Sequence, residues 1–260
     1  MRSEATDAGP AGHELFDDVY RRLLAPFHPE REARVEVAGL RELLGLAQDD
    51  RILDLGCGWG RHLVLLRAAG HDVTGLDVSR ALLDAARRRD AEAGVGRGRP
   101  VGLVRGEMRA LPFPERHFDV VLNLATSLGL FLADAPAVTA LAEARRVLRP
   151  GGRLVLEGMH RDDVVAHFAA RDRWRLEDRT EVRARRRFDA VRGVSHEVLR
   201  WRGPDGSRGV KRHALRVRSA TELVGLVGRA DLAVRAVYGD LWGRPFRHDS
   251  GRIVLVAERL

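Results

Sequence analysis

Gly56, Gly58 and Gly60 recur at every second position directly after an apolar run, Arg51 to Leu55. Glycine has no side chain and tolerates positive φ, so such a loop lets backbone approach a ligand closely. A dinucleotide fingerprint would put its third glycine at position 61. This chain has Arg61 there, which disfavours a nicotinamide dinucleotide. Carboxylates stand at matching places. Asp77 lies about twenty residues beyond the loop, where a carboxylate can accept hydrogen bonds from ribose hydroxyls. Glu107 offers an acceptor for an adenine amino group. Asp54 puts an anion beside the loop, a neighbour that repels a pyrophosphate and attracts a cation. Cys57 invites a nucleophile reading, but nothing nearby in sequence marks its thiol as activated, and a small residue packed inside the loop is the simpler account.

These residues need strand ends to hold them. From about residue 40 to about residue 160, apolar runs alternate with helical stripes, the pattern of a parallel α/β sheet. Strands are predicted at Arg51 to Leu55, Val73 to Leu76, Val101 to Arg105, Phe118 to Leu122 and Arg153 to Glu157. A helix starts near Arg61 and stops at Gly70, and Ser79 caps the next one. Gly94 to Pro100 reads as a glycine-rich connector. Asp134 and Pro136 open a further helix that Pro150-Gly151-Gly152 ends. The pattern then changes to three strands, Glu181 to Phe188, Ser195 to Trp201 and Gly209 to Val217, with a hairpin turn at Gly203-Pro204-Asp205-Gly206. Ser219 with Glu222 forms a capping box, and Leu232 to Tyr238 and Ile253 to Glu258 complete the sheet.

With the elements in place, the motifs resemble a known set. Ile52-Leu53-Asp54-Leu55-Gly56-Cys57-Gly58-Trp59-Gly60 looks like motif I of class I methyltransferases that use S-adenosylmethionine (SAM). Gly75-Leu76-Asp77-Val78-Ser79 resembles their ribose-binding segment and Gly106-Glu107-Met108 their adenine-binding one. Leu111-Pro112-Phe113, Phe118-Asp119-Val120-Val121 and Leu148-Arg149-Pro150-Gly151-Gly152-Arg153-Leu154 follow in the family's order. The resemblance covers roughly residues 50 to 158. It implies an α/β fold: a doubly wound, Rossmann-like seven-stranded sheet, mostly parallel with the last strand reversed, plus a small antiparallel β insertion and an N-terminal helical lid. The expected layout is one catalytic domain over 1–260, with a lid at 1–45, a SAM-binding core at 46–160, inserted strands at 172–218, and a final helix and edge strands at 219–260.

The resemblance also implies roles. Backbone of Gly56, Cys57 and Gly58, beside Asp54, holds the methionine end of SAM, and Asp77 takes the ribose hydroxyls. Val78 and Met108 sandwich adenine, Glu107 faces its amino group, and Asn123 sits under the methionine end. The family often has aspartate where this chain has Glu107. The expected product beside the methylated acceptor is S-adenosylhomocysteine (SAH). Methyl transfer from a sulfonium is an in-line displacement that depends chiefly on alignment. A base is needed only where the acceptor must lose a proton.

Ligands of open α/β sheets lie beyond the carboxyl ends of the strands. Thr126 and Ser127 after the fourth strand are therefore candidate acceptor contacts, and His160 after the fifth is the candidate proton acceptor. The N-terminal segment around Phe16, Tyr20, Leu24 and Phe27 is expected to fold over this edge, with Tyr20, Phe27 and His28 at the acceptor. His62 is read as orienting local structure, and Trp242 and Phe246 as lining a pocket or packing. No histidine or cysteine pair has ligand spacing, so a metal-independent enzyme is expected.

The net charge of +8 comes almost wholly from arginine, Lys211 being the one lysine, with acids interspersed. That pattern fits coding preference better than a nucleic-acid stripe, and Arg183 to Arg187 read as a solvated strand face. No apolar run is long enough to span a bilayer, Met1 to Gly12 lack the apolar stretch of a secretory signal, and one cysteine allows no internal disulfide. The expectation is a cytoplasmic enzyme methylating nitrogen or oxygen of a small molecule, its oligomeric state open and a homodimer among the options. The alternatives are methylation of RNA or protein, a non-catalytic SAM-binding module, and a nicotinamide oxidoreductase.

Overall fold

The computed structural model of the chain describes residues 15–95 and 100–260. The first fourteen positions of the expected lid, and residues 96–99 of the glycine-rich connector, lie outside the described residues. Helix α1 (Asp18–Leu24) is capped by Asp17, whose carboxylate accepts the Tyr20 N–H at 2.8 Å. A single 3-10 turn at Ala25–Phe27 leads to α2 (Glu30–Leu44). Then come β1 (Arg51–Leu55), α3 (Leu63–Ala68), β2 (Asp72–Asp77), α4 (Arg80–Ala93), β3 (Gly102–Arg105), β4 (Phe118–Asn123), α5 (Asp134–Val147) and β5 (Leu148–Met159). After α6 (Arg161–Ala166), strands β6 (Arg171–Arg175), β7 (Glu181–Asp189), β8 (Val194–Arg202) and β9 (Arg208–Arg216) follow, then α7 (Ala220–Gly228), β10 (Ala233–Tyr238) and β11 (Arg252–Glu258).

The main sheet has seven strands in the order β10-β11-β5-β4-β1-β2-β3. Pairing around β1 is parallel, Ile52 lying beside Val73 and Val120. Strand β11 runs antiparallel to both β5 and β10, so the final strand is the reversed one. Both sheet faces are covered, which is why β4 is buried along its whole length, with the apolar run Val120-Val121-Leu122 at its centre. One core cluster joins Leu141, Leu148, Leu154 and Leu226 on the α5 and α7 side. The other joins Val37, Leu40, Leu63, Leu66 and Leu83 from α2, α3 and α4.

The segment expected as a lid therefore divides. Helix α2 buries Val37, Leu40 and Leu44 against the sheet as part of its helical layer. Helix α1 instead packs Tyr20 and Leu23 on Val182, Ala184 and Leu199 of a second, four-stranded antiparallel sheet, β6-β7-β8-β9. Sequence reading gave that insertion three strands; β6 is the fourth. Strand β5 begins at Leu148 beside Phe118, so the Pro150-Gly151-Gly152 turn lies within the strand and not ahead of it. The Gly203–Ser207 turn closes with a 2.8 Å backbone bond, and both halves of the Ser219–Glu222 capping box are present. No helix among the described residues is long and apolar enough to cross a membrane.

Candidate functional site

The loop after β1 folds back over the end of β2. Gly56 and Cys57 N–H groups donate to the Leu76 carbonyl at 2.8 and 3.0 Å. Gly56 and Gly58 hold φ of +84° and +54°, and a Cβ on Gly56 would fall 2.7 Å from Met108 Cε. Only glycine meets both demands at position 56. Asp77 fastens the loop from below, accepting the Gly58 N–H at 2.9 Å and the Ser79 N–H at 2.8 Å. Burial raises its carboxyl above the ordinary aspartate value, and those backbone bonds pull the other way. Asp54 is buried beside it, and its Oδ2 has no hydrogen-bond partner. Burial pushes the Asp54 carboxyl up to about 6, with relief from His62 and a further push from Asp77.

A cavity of ≈ 640 Å³ opens over these strand ends. Of the expected donor contacts, Asp54, Gly56, Cys57, Gly58, Asp77, Val78, Glu107 and Met108 all line it. Asn123 does not. It is 2% exposed, donating to the Leu55 carbonyl at 2.8 Å and accepting the Leu128 N–H at 3.1 Å, a strut behind the loop. Glu107 is gripped by Arg109 Nε at 2.8 Å. Burial, then Asp54 and Asp77, push the Cys57 thiol well up, an environment that favours the protonated thiol over the thiolate a nucleophile needs.

The expected acceptor contacts scatter more. Tyr20, His28 and Ser127 line the cavity. Phe27 is 46% exposed and stacks edge-on against Trp174, outside the cavity. Thr126 turns its hydroxyl to the Met159 N–H at 3.0 Å and is likewise outside. It and Ala125 hold left-handed φ of 62° and 54°, fixed by Glu157, whose carboxylate accepts the Ala125 N–H at 2.6 Å and whose carbonyl accepts the Thr126 N–H at 3.0 Å. His160 is not at the cavity. Its ring is 2% exposed, receives Phe246 edge-on, and sets Nδ1 2.9 Å from the Ser250 carbonyl. A strand end fixes where a residue stands, not which way its ring turns, and the β10–β11 loop has claimed this one.

Arg61, His62 and His213, none of them an expected ligand contact, also line the cavity, and a charged cluster stands behind the first two. His62 Nε2 lies 2.8 Å from Glu36 Oε2, and Arg61 Nη2 lies 3.2 Å from the same oxygen. Arg252 of β11 approaches Glu36 Oε1 at 2.5 Å and also pairs with Glu32 and Glu157. Burial alone would raise the Glu36 carboxyl, but the His62 hydrogen bond and charge, with Arg61 and Arg252, hold it at about 2. His28 sits 5.9 Å from the Trp59 ring, and burial, Arg61 and Arg252 bring it down to about 4. From the inserted sheet, His213 on β9 closes the opposite wall. No group of three or more His, Cys, Asp or Glu among the described residues is placed to hold a metal.

A family model described as a methyltransferase domain matches residues 52–152, the span from β1 into β5. An O-methyltransferase from Aspergillus nomiae is 34% identical over 189 residues, 65% of this chain and 80% of that protein. The chain belongs to the class I SAM-dependent methyltransferases. Within that family, the CcbJ methyltransferase from Streptomyces caelestis shares the fold at a TM-score of 0.82, with 23% identity over 96% of this chain and 98% of that one. The SAM-bound structure of an amino pentose methyltransferase from Micromonospora echinaspora aligns at 0.66, with 26% identity over 93% and 95% of the two chains. Against other curated relatives the chain spans about half their length, 47% and 55% in two cases.

Proposed function

We propose that this protein transfers the methyl group of SAM to nitrogen or oxygen of a small molecule held in the cavity. The observation that carries the reading is the Asp54 carboxylate oxygen left without a partner beside a positive-φ glycine loop. A buried polar atom without a partner is costly, so it fits a site shaped for a ligand that brings cationic donors. SAM has both a sulfonium and an ammonium group. Gly56, Cys57 and Gly58 backbone would cradle its methionine end, and Asp77 would give its remaining lone pairs to the ribose hydroxyls. Val78 and Met108 would flank adenine, with Glu107 at the amino group. When bound, SAM supplies an activated methyl group, and the chain's part is to align the acceptor and exclude water.

A small acceptor suits a cavity walled by α1 on one side and β9 on another. By their names the Micromonospora relative acts on an amino pentose and the Aspergillus one on oxygen, which supports small acceptors without choosing the atom. The lone buried Cys57 accords with a cytoplasmic setting. Calorimetry with SAM and SAH tests the donor. Asp77→Ala is expected to weaken SAM binding at least tenfold, about 1.4 kcal/mol, through lost hydrogen bonds. A folded wild-type protein that binds neither ligand would overturn the reading.

A second reading, methylation of RNA or protein, draws on the exposed arginines of the inserted sheet. Turnover on RNA that collapses steeply with salt, without turnover on small acceptors, would favour it.

A further inference from the structure

Three histidines line the cavity, and their surroundings separate them. His62 has its Nε2 committed to Glu36, which Arg61 and Arg252 also hold. His28 faces the charges of Arg61 and Arg252, which oppose a second cation there. His213 differs from both. Its side chain is 7% exposed, and its Nε2 lies 3.5 Å from Glu197 Oε2 on the neighbouring strand. Glu197 Oε1 in turn accepts from Arg186 Nε at 2.5 Å on the strand beyond. The sheet register places Arg186 opposite Glu197 and Glu197 opposite His213, so the three form one row across β7, β8 and β9.

The other ring nitrogen, His213 Nδ1, is buried and has no hydrogen-bond partner. Tyr20 of α1 closes on the same ring edge-to-face, centroids 5.6 Å apart. Burial and then Glu197 raise the Tyr20 phenol well above its ordinary value, so it stays protonated and does not compete as a base. Burial also keeps His213 below the ordinary histidine value, against the pull of Glu197 and with the push of Arg186, so the ring is neutral near pH 7. A neutral imidazole with a carboxylate at one nitrogen and a spare lone pair at the other is the arrangement of an oriented base.

We infer that His213 Nδ1 accepts a proton from the methyl acceptor, with Glu197 and Arg186 as positioning residues, and that the acceptor is a hydroxyl, alcohol or phenol. This rests on the methyl-transfer reading above. A neutral amine attacks with its lone pair and needs no base, whereas a hydroxyl must shed its proton as the new bond forms. As the acceptor oxygen bonds the methyl carbon, the carbon–sulfur bond breaks and its electron pair stays on sulfur. The hydroxyl proton passes to Nδ1. The products are an ether, a neutral thioether and an imidazolium facing Glu197, which later returns the proton to water.

The experiment compares wild type with His213→Asn, His213→Gln and Glu197→Gln on a panel of phenols of graded acidity, matched benzylic alcohols and matched anilines. SAM affinity is read by calorimetry on each variant. The expected result is unchanged SAM affinity and a kcat loss of about 100-fold or more on weakly acidic phenols and alcohols in the His213 variants. The loss should shrink on 4-nitrophenol, which ionises near neutrality without help. Glu197→Gln should shift the acid limb of the kcat profile to lower pH, because the imidazolium loses its counter-charge. Equal losses on acidic and weakly acidic phenols would show a packing role and overturn the inference. So would wild-type turnover of anilines alone, or of no hydroxyl in the panel, while SAM still binds. Failure of SAM to bind wild type would instead remove the underlying function.

Discussion

Asp54 gives the molecule a pH signature. Its carboxyl sits at about 6 in the fold against an ordinary 3.8, mainly through burial. A raised value means the fold prefers the protonated acid, so this contribution to stability is whole below about pH 4 and is lost as pH rises through about 6. A cationic donor prefers the ionised form. SAM affinity is therefore expected to rise between about pH 5 and about pH 7 with net proton release, measurable by calorimetry in buffers of different ionisation enthalpy. Asp54→Asn should flatten that rise; an unchanged slope would assign it to another group. The residues of this half of the site were legible because each follows its strand directly, and parallel strands bring such positions to one edge. Glu36, Arg252 and His213 were not. The Glu36–Arg252 contact spans 216 positions, and the row ending at His213 exists only once three strands are in register.

The elements divide in the same way. Strand β7 announces itself by alternation, Val182 and Ala184 buried between exposed Arg183 and Arg185. Strand β6, Arg171-Asp172-Arg173-Trp174-Arg175, has one half-buried residue among exposed charges, so it carries no apolar face for sequence reading to find. Its pairing with β7 supplies what its composition does not. The Pro150-Gly151-Gly152 turn looked like a boundary because those residues break helices, yet Leu148 ahead of it already pairs with Phe118. Helix α1 owes its place to tertiary contact, since Leu23 is 0% exposed and packs on the inserted sheet with Val182 and Leu199. Leu23→Ala should cost about 2–5 kcal/mol in denaturant titrations. If α1 moves as a lid that carries Tyr20 over the cavity, the same variant should raise the acceptor KM more than the SAM Kd. Equal changes in both would make α1 a plain structural helix.

Across the whole molecule, charge is laid out unevenly. The outer face of the inserted sheet sets Arg173 opposite Arg183 and Arg183 opposite Arg200, with Arg171 opposite Arg185 in the next row. All five are exposed. Like charges directly opposite one another on a sheet are destabilising by tenths of a kcal/mol to about 1 kcal/mol per pair. Screening should relieve that, so the thermal midpoint is expected to rise as salt goes from about 0.02 M to about 0.3 M. Arg183→Glu should raise the midpoint at low salt and make it less salt-dependent. A midpoint that falls with salt in wild type would mean that ion pairs elsewhere dominate.

Arg252 lies on the final strand, and Glu32, Glu36 and Glu157, the acids it joins, all precede it in the chain. During translation those three carboxylates leave the ribosome long before their common cation does. Until it arrives, Glu36 and Glu157 lack the Arg252 guanidinium that joins them. The growing polypeptide thus carries these carboxylates ahead of the cation that joins them, and the cluster closes only when β11 pairs with β5.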